Sequence, residues 1–323
     1  MTILVTGAAG FIGSHVAKAL IARGERVIGI DNLNDYYDVR LKEARLAQLE
    51  KLPGFSFHKL DICDREAIFA LCEGAPEITG MIHLAAQAGV RYSLINPFAY
   101  VQTNVMGHTV MMEAARKLPN LRHTVYASSS SVYGSSTDFP FSLADRVDTP
   151  NSLYAATKRA DELIGHTYAH LYKMPLTGLR FFTVYGPWGR PDMAAYIFAT
   201  KITAGEPIPV FNKGEMWRDF TFIDDIVSGV LAALDHIPAG DVPHKVYNLG
   251  NHRCEKLTDF IAEIEKAMGK RAVMRFEPIQ PGDVPKTYAD ISESQRDLGF
   301  DPKTPISIGI PRFIEWYKNY HGQ

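Results

Sequence analysis

Cysteine is scarce in this chain of 323 residues: Cys63, Cys72 and Cys254 are all it has. None belongs to a C-x-x-C pair, which excludes a disulfide scaffold and suits a reducing cytoplasm. An excess of one charge is missing too. The 34 basic and 36 acidic residues leave a net charge of −2, so no polyanion-binding surface is expected. No apolar run approaches the roughly 20 residues that cross a bilayer. Met1 leads almost directly into Ile3-Leu4-Val5, without the charged stretch and cleavage site of a secretory leader. The expectation is a soluble cytoplasmic protein, with no nucleic acid or membrane partner. Internal repeats and low-complexity segments are also lacking. His166 and His170 have the spacing of a metal pair on a helix. No acid is placed to complete an H-E-x-x-H motif and no third ligand stands nearby, so no metal is expected. The length is ample for a sizeable core in one large unit or two.

What is present begins at the first residues. A buried-strand pattern over 2–5 runs straight into Gly7-Ala8-Ala9-Gly10-Phe11-Ile12-Gly13, and a helix pattern starts at Ser14 with Val16, Ala19 and Leu20 inward. Glycines three apart between strand and helix permit a tight turn and close backbone approach to a pyrophosphate at the helix amino terminus. The next strand, 26–30, ends in Asp31, 24 residues after Gly7. An acid there accepts hydrogen bonds from an adenosine ribose diol and repels a 2′-phosphate, which favours NAD over NADP.

The alternation continues. Strand 55–60 leads to Asp61-Ile62, strand 81–84 to the small residues Ala85-Ala86, and a helix from about Pro97 carries Asn104. Strand 123–127 runs into Ser128-Ser129-Ser130-Ser131-Val132-Tyr133-Gly134. Repeated βα units of this kind predict an α/β fold, a Rossmann-like doubly wound parallel sheet that binds its ligand beyond the carboxyl ends of the strands. Within the next helix, 153–171, Tyr154 and Lys158 stand four residues apart, one turn above the other. An ammonium beside a phenol favours the phenolate, which makes an acid/base able to work near neutral pH.

The opening G-x-x-G-x-x-G, the serine run before Val132-Tyr133-Gly134 and the pair Tyr154–Lys158 resemble the extended short-chain dehydrogenase/reductase family, in particular its nucleotide-sugar epimerases and dehydratases. The similarity covers essentially the whole chain. It implies that Ser129, Tyr154 and Lys158 are the catalytic group. It implies NAD contacts from Gly7, Gly10, Phe11, Ile12, Gly13, Asp31, Asn32, Asp61, Ile62, Leu84, Ala85, Ala86 and Asn104, together with Tyr154 and Lys158. It also implies a homodimer paired through helices near 97–116 and 153–171.

Past a strand at 176–182, Pro187, Gly189 and Pro191 break the alternation. A division is expected near residue 180, into an NAD-binding part (1–180) and a smaller, partly interleaved α/β substrate part (181–323), with about 225–250 returning to the first. A helix is expected over 194–204, short strands at 208–211, 219–223 and 246–249, and an amphipathic helix at 257–268. Candidate substrate contacts are Ser129, Ser130, Thr183, Arg190, Val210, Phe211, Arg218 and Asp283. By resemblance Arg218 clamps a nucleotide diphosphate, as a planar fork of donors suits, and Asp283 in Pro281-Gly282-Asp283 holds a uridine ribose. Gln280 precedes that motif where many galactose-type epimerases have arginine, and Arg190 is the candidate replacement.

Dehydratases of this family place Asp-Glu after the hydroxyl residue. Here those positions are Ser130 and Ser131, which lack the acid and base that elimination of water requires. The stretch Asp31-Asn32-Leu33-Asn34-Asp35-Tyr36-Tyr37-Asp38 with Arg40-Leu41-Lys42, and the stretch from Tyr185 to Met193, are similar to UDP-glucuronate 4-epimerases. Thr183 replaces the asparagine usual in galactose-type enzymes, and with Ser129 and Ser130 it offers neutral donors to a sugar carboxylate. The substrate so implied is a UDP-uronic acid. A UDP-glucose/galactose 4-epimerase, a UDP-glucuronate decarboxylase and a non-catalytic NAD-sensing protein stay open as alternatives.

Overall fold

The protein is described over residues 1–322 from a computed structural model. Short apolar runs bounded by turn residues make its first strands: β1 (Thr2–Thr6), β2 (Arg26–Asp31), β3 (Phe55–Lys59), β4 (Ile78–His83), β5 (His123–Ser129) and β6 (Leu176–Phe181). Between them run α1 (Phe11–Ala22), α2 (Val39–Leu49), α3 (Arg65–Gly74), α4 (Pro97–Tyr100), α5 (His108–Lys117) and α6 (Leu153–Tyr172). A π-helical segment, Val101–Gly107, joins α4 to α5. After β6 come β7 (Thr183–Tyr185), α7 (Ala194–Ala204), β8 (Ile208–Phe211), β9 (Trp217–Arg218), β10 (Phe220–Phe222) and α8 (Ile223–Asp235). The chain closes with β11 (His244–Leu249), β12 (Glu255–Lys256), α9 (Leu257–Met268), β13 (Met274–Glu277), α10 (Ser292–Leu298) and α11 (Ile306–His321).

The central sheet has seven strands in the order β11-β6-β5-β4-β1-β2-β3, all parallel. The strand order reverses beside β1, which opens a crevice above the carboxyl ends of β1 and β4. The doubly wound α/β fold read from the sequence is therefore present. β11 completes the sheet edge by pairing with β6, while two-stranded pairings β10-β7, β12-β9 and β13-β8 build the part that faces the crevice. Buried apolar side chains fill both faces of the sheet, and one cluster runs on continuously into the carboxyl-terminal part through Phe198, Phe220, Phe260 and Phe313.

Two local devices aim the site. Ser152 caps α6, its Oγ accepting from the Ala155 N–H at 3.1 Å, and fixes where that helix starts. Farther along α6, the buried Glu162 accepts from Ser128 Oγ at 2.6 Å and from Arg180 Nε at 2.8 Å. These bonds tie the helix to β5 and β6. The second device is the π-helical segment, whose extra residue per turn turns Asn104 inward. There its Oδ1 accepts from the Gln87 N–H at 2.8 Å, while Nδ2 donates to the Gln87 carbonyl and to Thr157 Oγ1, both at 3.0 Å.

Candidate active site

A cavity of about 570 Å³ lies over the carboxyl ends of the sheet strands. Its first wall is the glycine turn between β1 and α1. Gly7 has φ +70°, and a Cβ there would meet Ala85 N at 2.9 Å. A Cβ on Gly10 or Gly13 would lie 2.9 or 2.0 Å from the Gly7 carbonyl oxygen. The turn thus closes on itself and on the β4 loop, with no space for a side chain at Gly7, Gly10 or Gly13. Gly10 caps α1 without a side chain, so the first N–H groups of the helix face the cavity free to bind an anion. Thr6 Oγ1 accepts from the N–H groups of Leu84 and Ala85, both at 3.1 Å, and holds the small-residue loop against the turn.

At the end of β2, Asp31 accepts from Leu33 N at 2.8 Å and Ala9 N at 3.2 Å. Burial raises its carboxyl above the usual range, offset by the Leu33 N–H and by Lys42. Two buried cations stand close by. Lys42 donates to the Asn34 carbonyl at 2.7 Å. Arg45 donates to the carbonyls of Trp188 and Ala9 and to the Tyr37 hydroxyl, at 2.7, 3.1 and 2.7 Å. Arg45 thereby joins the glycine turn, the loop after β2 and the loop after β7.

The reacting end is built by β5, α6 and β7. Ser129, Ser130 and Ser131 at the end of β5, Tyr154 and Lys158 on α6, and Thr183 on β7 all line the cavity. Ser129 Oγ accepts from the Ser131 N–H and donates to Ser131 Oγ, both at 3.1 Å. Lys158 Nζ donates to the Ala127 carbonyl at 2.9 Å and to Asp161 at 3.0 Å. The Tyr154 ring packs edge-on against Tyr100, with centroids 6.0 Å apart. Such a set can pass a proton to and from a hydroxyl, with serine and threonine donors ready for a neighbouring oxyanion.

A model of the NAD dependent epimerase/dehydratase family matches residues 3–250. The chain belongs to that family. Among its relatives is a probable UDP-glucuronate 4-epimerase of Rhizobium meliloti (strain 1021), 46% identical over 99% of this chain and 98% of that protein. UDP-glucuronate 4-epimerase 2 of Arabidopsis thaliana is 47% identical over 100% of this chain and 77% of its own length. A crystal structure of UDP-glucuronic acid 4-epimerase from Bacillus cereus with UDP-glucuronic acid and NAD is 34% identical, with a TM-score of 0.92 over 99% of this chain and 100% of the other.

The residues of this epimerase/dehydratase fit the cofactor its family is named for. The turn with no space for a Cβ at its three glycines, the uncapped start of α1 and the acid closing β2 are what a dinucleotide's pyrophosphate and ribose require. Of the candidate cofactor residues, Gly7, Gly10, Phe11, Ile12, Gly13, Asp31, Asn32, Ile62, Leu84, Ala85, Ala86, Tyr154 and Lys158 line the cavity. Two expected contacts do not. Asn104 is buried with its amide committed to Gln87 and Thr157, so it supports the loop that faces the cavity. Asp61 accepts from Asn32 Nδ2 at 2.9 Å and Cys63 N at 2.8 Å and orients Asn32. Although burial opposes it, these partners hold the Asp61 carboxyl below its usual value.

On the substrate side, Ser129, Ser130, Thr183, Arg190, Phe211, Arg218 and Asp283 line the cavity. Val210 does not: in the two-residue alternation of β8 it points into the core, fully buried, while Pro209 and Phe211 face inward to the cavity. Arg218 and Asp283 are brought together, Nη2 to Oδ1 at 2.6 Å. Burial lowers the affinity of the Arg218 guanidinium for its proton, with Asp283 opposing. Arg190, the expected replacement for the arginine absent at 280, lines the cavity. Arg190 is forked onto Asp192 at 3.0 and 2.5 Å, and it is Arg91 that stands by Asp283, at 3.9 Å, with its guanidinium 4.7 Å from the centre of the Phe211 ring. Sequence reasoning missed Arg91. Its signal was an arginine two residues beyond Gly89, in a loop at the carboxyl end of a strand. His166 packs edge-on to His244 at 5.8 Å, and the described residues hold no metal-ligating group of three.

Proposed function

We propose that this family member is a UDP-glucuronate 4-epimerase, interconverting UDP-glucuronate and UDP-galacturonate through a transient 4-keto sugar. The observation that carries the reading is the set of neutral hydroxyl donors, Ser129, Ser130 and Thr183, on the wall that also bears Tyr154 and Lys158. The names of the relatives support it.

NAD, when bound, supplies reversible hydride acceptance. Tyr154 takes the proton of the sugar 4-hydroxyl and gives it back to the 4-oxygen when the ketone is reduced on its other face, with Ser129 donating to that oxygen. Lys158 stabilises the phenolate form of Tyr154. Arg218 and Arg91 hold the diphosphate, and Asp283 the uridine ribose. Oxidation at carbon 4 of a uronate creates a β-keto acid, which loses carbon dioxide when its carboxylate bond aligns with the ketone orbital. Holding the carboxylate out of that alignment is the task of Thr183 and the serine hydroxyls. Ser130 and Ser131, lacking acid and base strength, disfavour dehydration.

The proposal extends to a cytoplasmic homodimer that supplies uronate units for polysaccharide synthesis. Its support is the set of free cysteines and the exposed apolar side chains along α4 to α6. The test is incubation of the purified protein with UDP-glucuronate and no added NAD, followed by chromatography. UDP-galacturonate is the expected product. UDP-xylose with carbon dioxide, or turnover of UDP-glucose in preference, would overturn the assignment.

A further inference from the structure

Beneath the lysine of the site lies a carboxylate that the reaction does not call for. Asp161 follows Lys158 by three residues on α6, and only 1% of it is exposed. One oxygen, Oδ2, accepts from Lys158 Nζ at 3.0 Å, and the same ammonium donates to the Ala127 carbonyl at 2.9 Å. An ammonium has three N–H groups. The third has no partner among the described residues, and Lys158 lines the cavity. The two fixed bonds therefore aim the free N–H at the cavity side. The other carboxylate oxygen, Oδ1, is buried with no hydrogen-bond partner among the described residues, as is His108 Nε2. A buried ion pair with an unanswered oxygen is a poor device for stability.

The surroundings leave the charge of Lys158 to Asp161. On α6, Glu162 is bound to Arg180 and Arg159. From α5, His108 is held down to about 3 by burial. From β4, burial keeps His83 well below its ordinary value, and from β5 it keeps Tyr126 well above. His244 on β11, bonded to the Tyr126 hydroxyl at 2.7 Å, is lowered to about 4 by burial. All four are neutral near pH 7. Tyr154 itself faces Tyr100 and the cation of Arg190. Burial pushes Asp161 up to about 6, with Lys158 opposing, so above that pH the carboxylate is charged.

We propose that Asp161 is a positioning residue, which aims the Lys158 ammonium and offsets part of its charge, and so sets how readily Tyr154 takes up a proton. The inference rests on the epimerase reading for its consequence in turnover, and on Tyr154 alone for its consequence in titration. Asp161→Asn keeps the size and removes the charge. The full charge of Lys158 then acts on Tyr154, and the acid limb of kcat/KM for UDP-glucuronate moves to lower pH by roughly one unit. Asp161→Glu, which keeps the charge, leaves the limb within a few tenths of the wild type.

A second measurement needs no turnover. The ultraviolet difference titration of the protein minus its Tyr154→Phe variant reads the phenol directly, and in the Asp161→Asn background it shifts the same way. Asp161→Ala, well tolerated in a helix interior, gives the same shift should the amide misfold. An unmoved limb and an unmoved titration in both variants overturn the inference. A wild type inactive on UDP-glucuronate overturns the proposed reaction, and the titration then still decides the role of Asp161.

Discussion

At the scale of single residues, the buried Asp161 has a thermodynamic consequence separate from its chemistry. Its folded-state value, about 6, lies above the ordinary 3.8, so the folded protein holds that proton more tightly than the unfolded one. The stabilising contribution is fully present below about pH 4 and is lost as pH rises through about 6. Asp161→Asn is expected to remove that slope, read as the pH dependence of the melting temperature by differential scanning fluorimetry across pH 4–8. On the proposed reading, Thr183 is the residue on which substrate choice turns. Thr183→Val keeps the shape and deletes the donor, and is expected to lower kcat/KM for UDP-glucuronate about tenfold, the value of one charge-assisted hydrogen bond, while raising the share of decarboxylated pentose product. Unchanged turnover with no pentose would remove the assignment. Tyr154, Lys158 and the glycines were legible because their chemistry is local, carried by spacing within one helix or one turn. Arg91 was not. Its partner Asp283 lies 192 positions away in the sequence, and no periodicity records that approach.

At the scale of elements, the segment from Pro97 to Lys117 shows how a helix becomes part of a site. Asn96 caps it, accepting from the Ala99 N–H at 3.3 Å, and Pro97 occupies the first turn. The π-helical stretch then spends one residue on an inward turn, and Asn104 meets both backbone groups of Gln87. The loop from Leu84 to Val90 is held again by Tyr100, whose hydroxyl donates to the carbonyls of Ala88 and Gly89 at 3.1 and 2.5 Å. Asn104→Ala leaves the buried amide and carbonyl of Gln87 unpaired. The expected loss of stability is about 1–3 kcal/mol, measured by urea denaturation, with a weaker hold on NAD measured by nucleotide content after gel filtration. The sequence showed a helix here, because its apolar period is strong. The π-helical insertion was invisible, since one added residue shifts the register without changing composition. For the same reason the sequence does not show that the Asn104 side chain is bonded to both backbone groups of Gln87.

At the scale of the whole molecule, the outer face of α4 to α6 carries large apolar side chains that this chain leaves uncovered. Phe98 is 82% exposed and Ile95 77%, and Val101, Met106, Leu163, Leu171 and Tyr172 lie exposed along the same helical pair. On the proposed homodimer reading this patch is the association surface, and two helices from each of two copies would form a four-helix interface with twofold symmetry. Phe98→Asp combined with Leu163→Asp is expected to convert a dimer to a monomer in size-exclusion chromatography with light scattering. A monomeric wild type would end the homodimer reading. The strand-helix order that produced the parallel sheet was readable along most of the amino-terminal half. The pairings β10-β7, β12-β9 and β13-β8 were not, because strands of two to four residues carry too few alternations to define a face.

The seating of β11 beside β6 has one more result. The polypeptide leaves the large sheet after Phe181, comes back to it at β11, and departs again through β12. The bonds of Phe141 to Tyr288 and Asp290, at 2.7 and 3.0 Å, add a further crossing. The amino- and carboxyl-terminal stretches are thus joined at several crossings, so a protease cut at one of them is expected to leave the others holding.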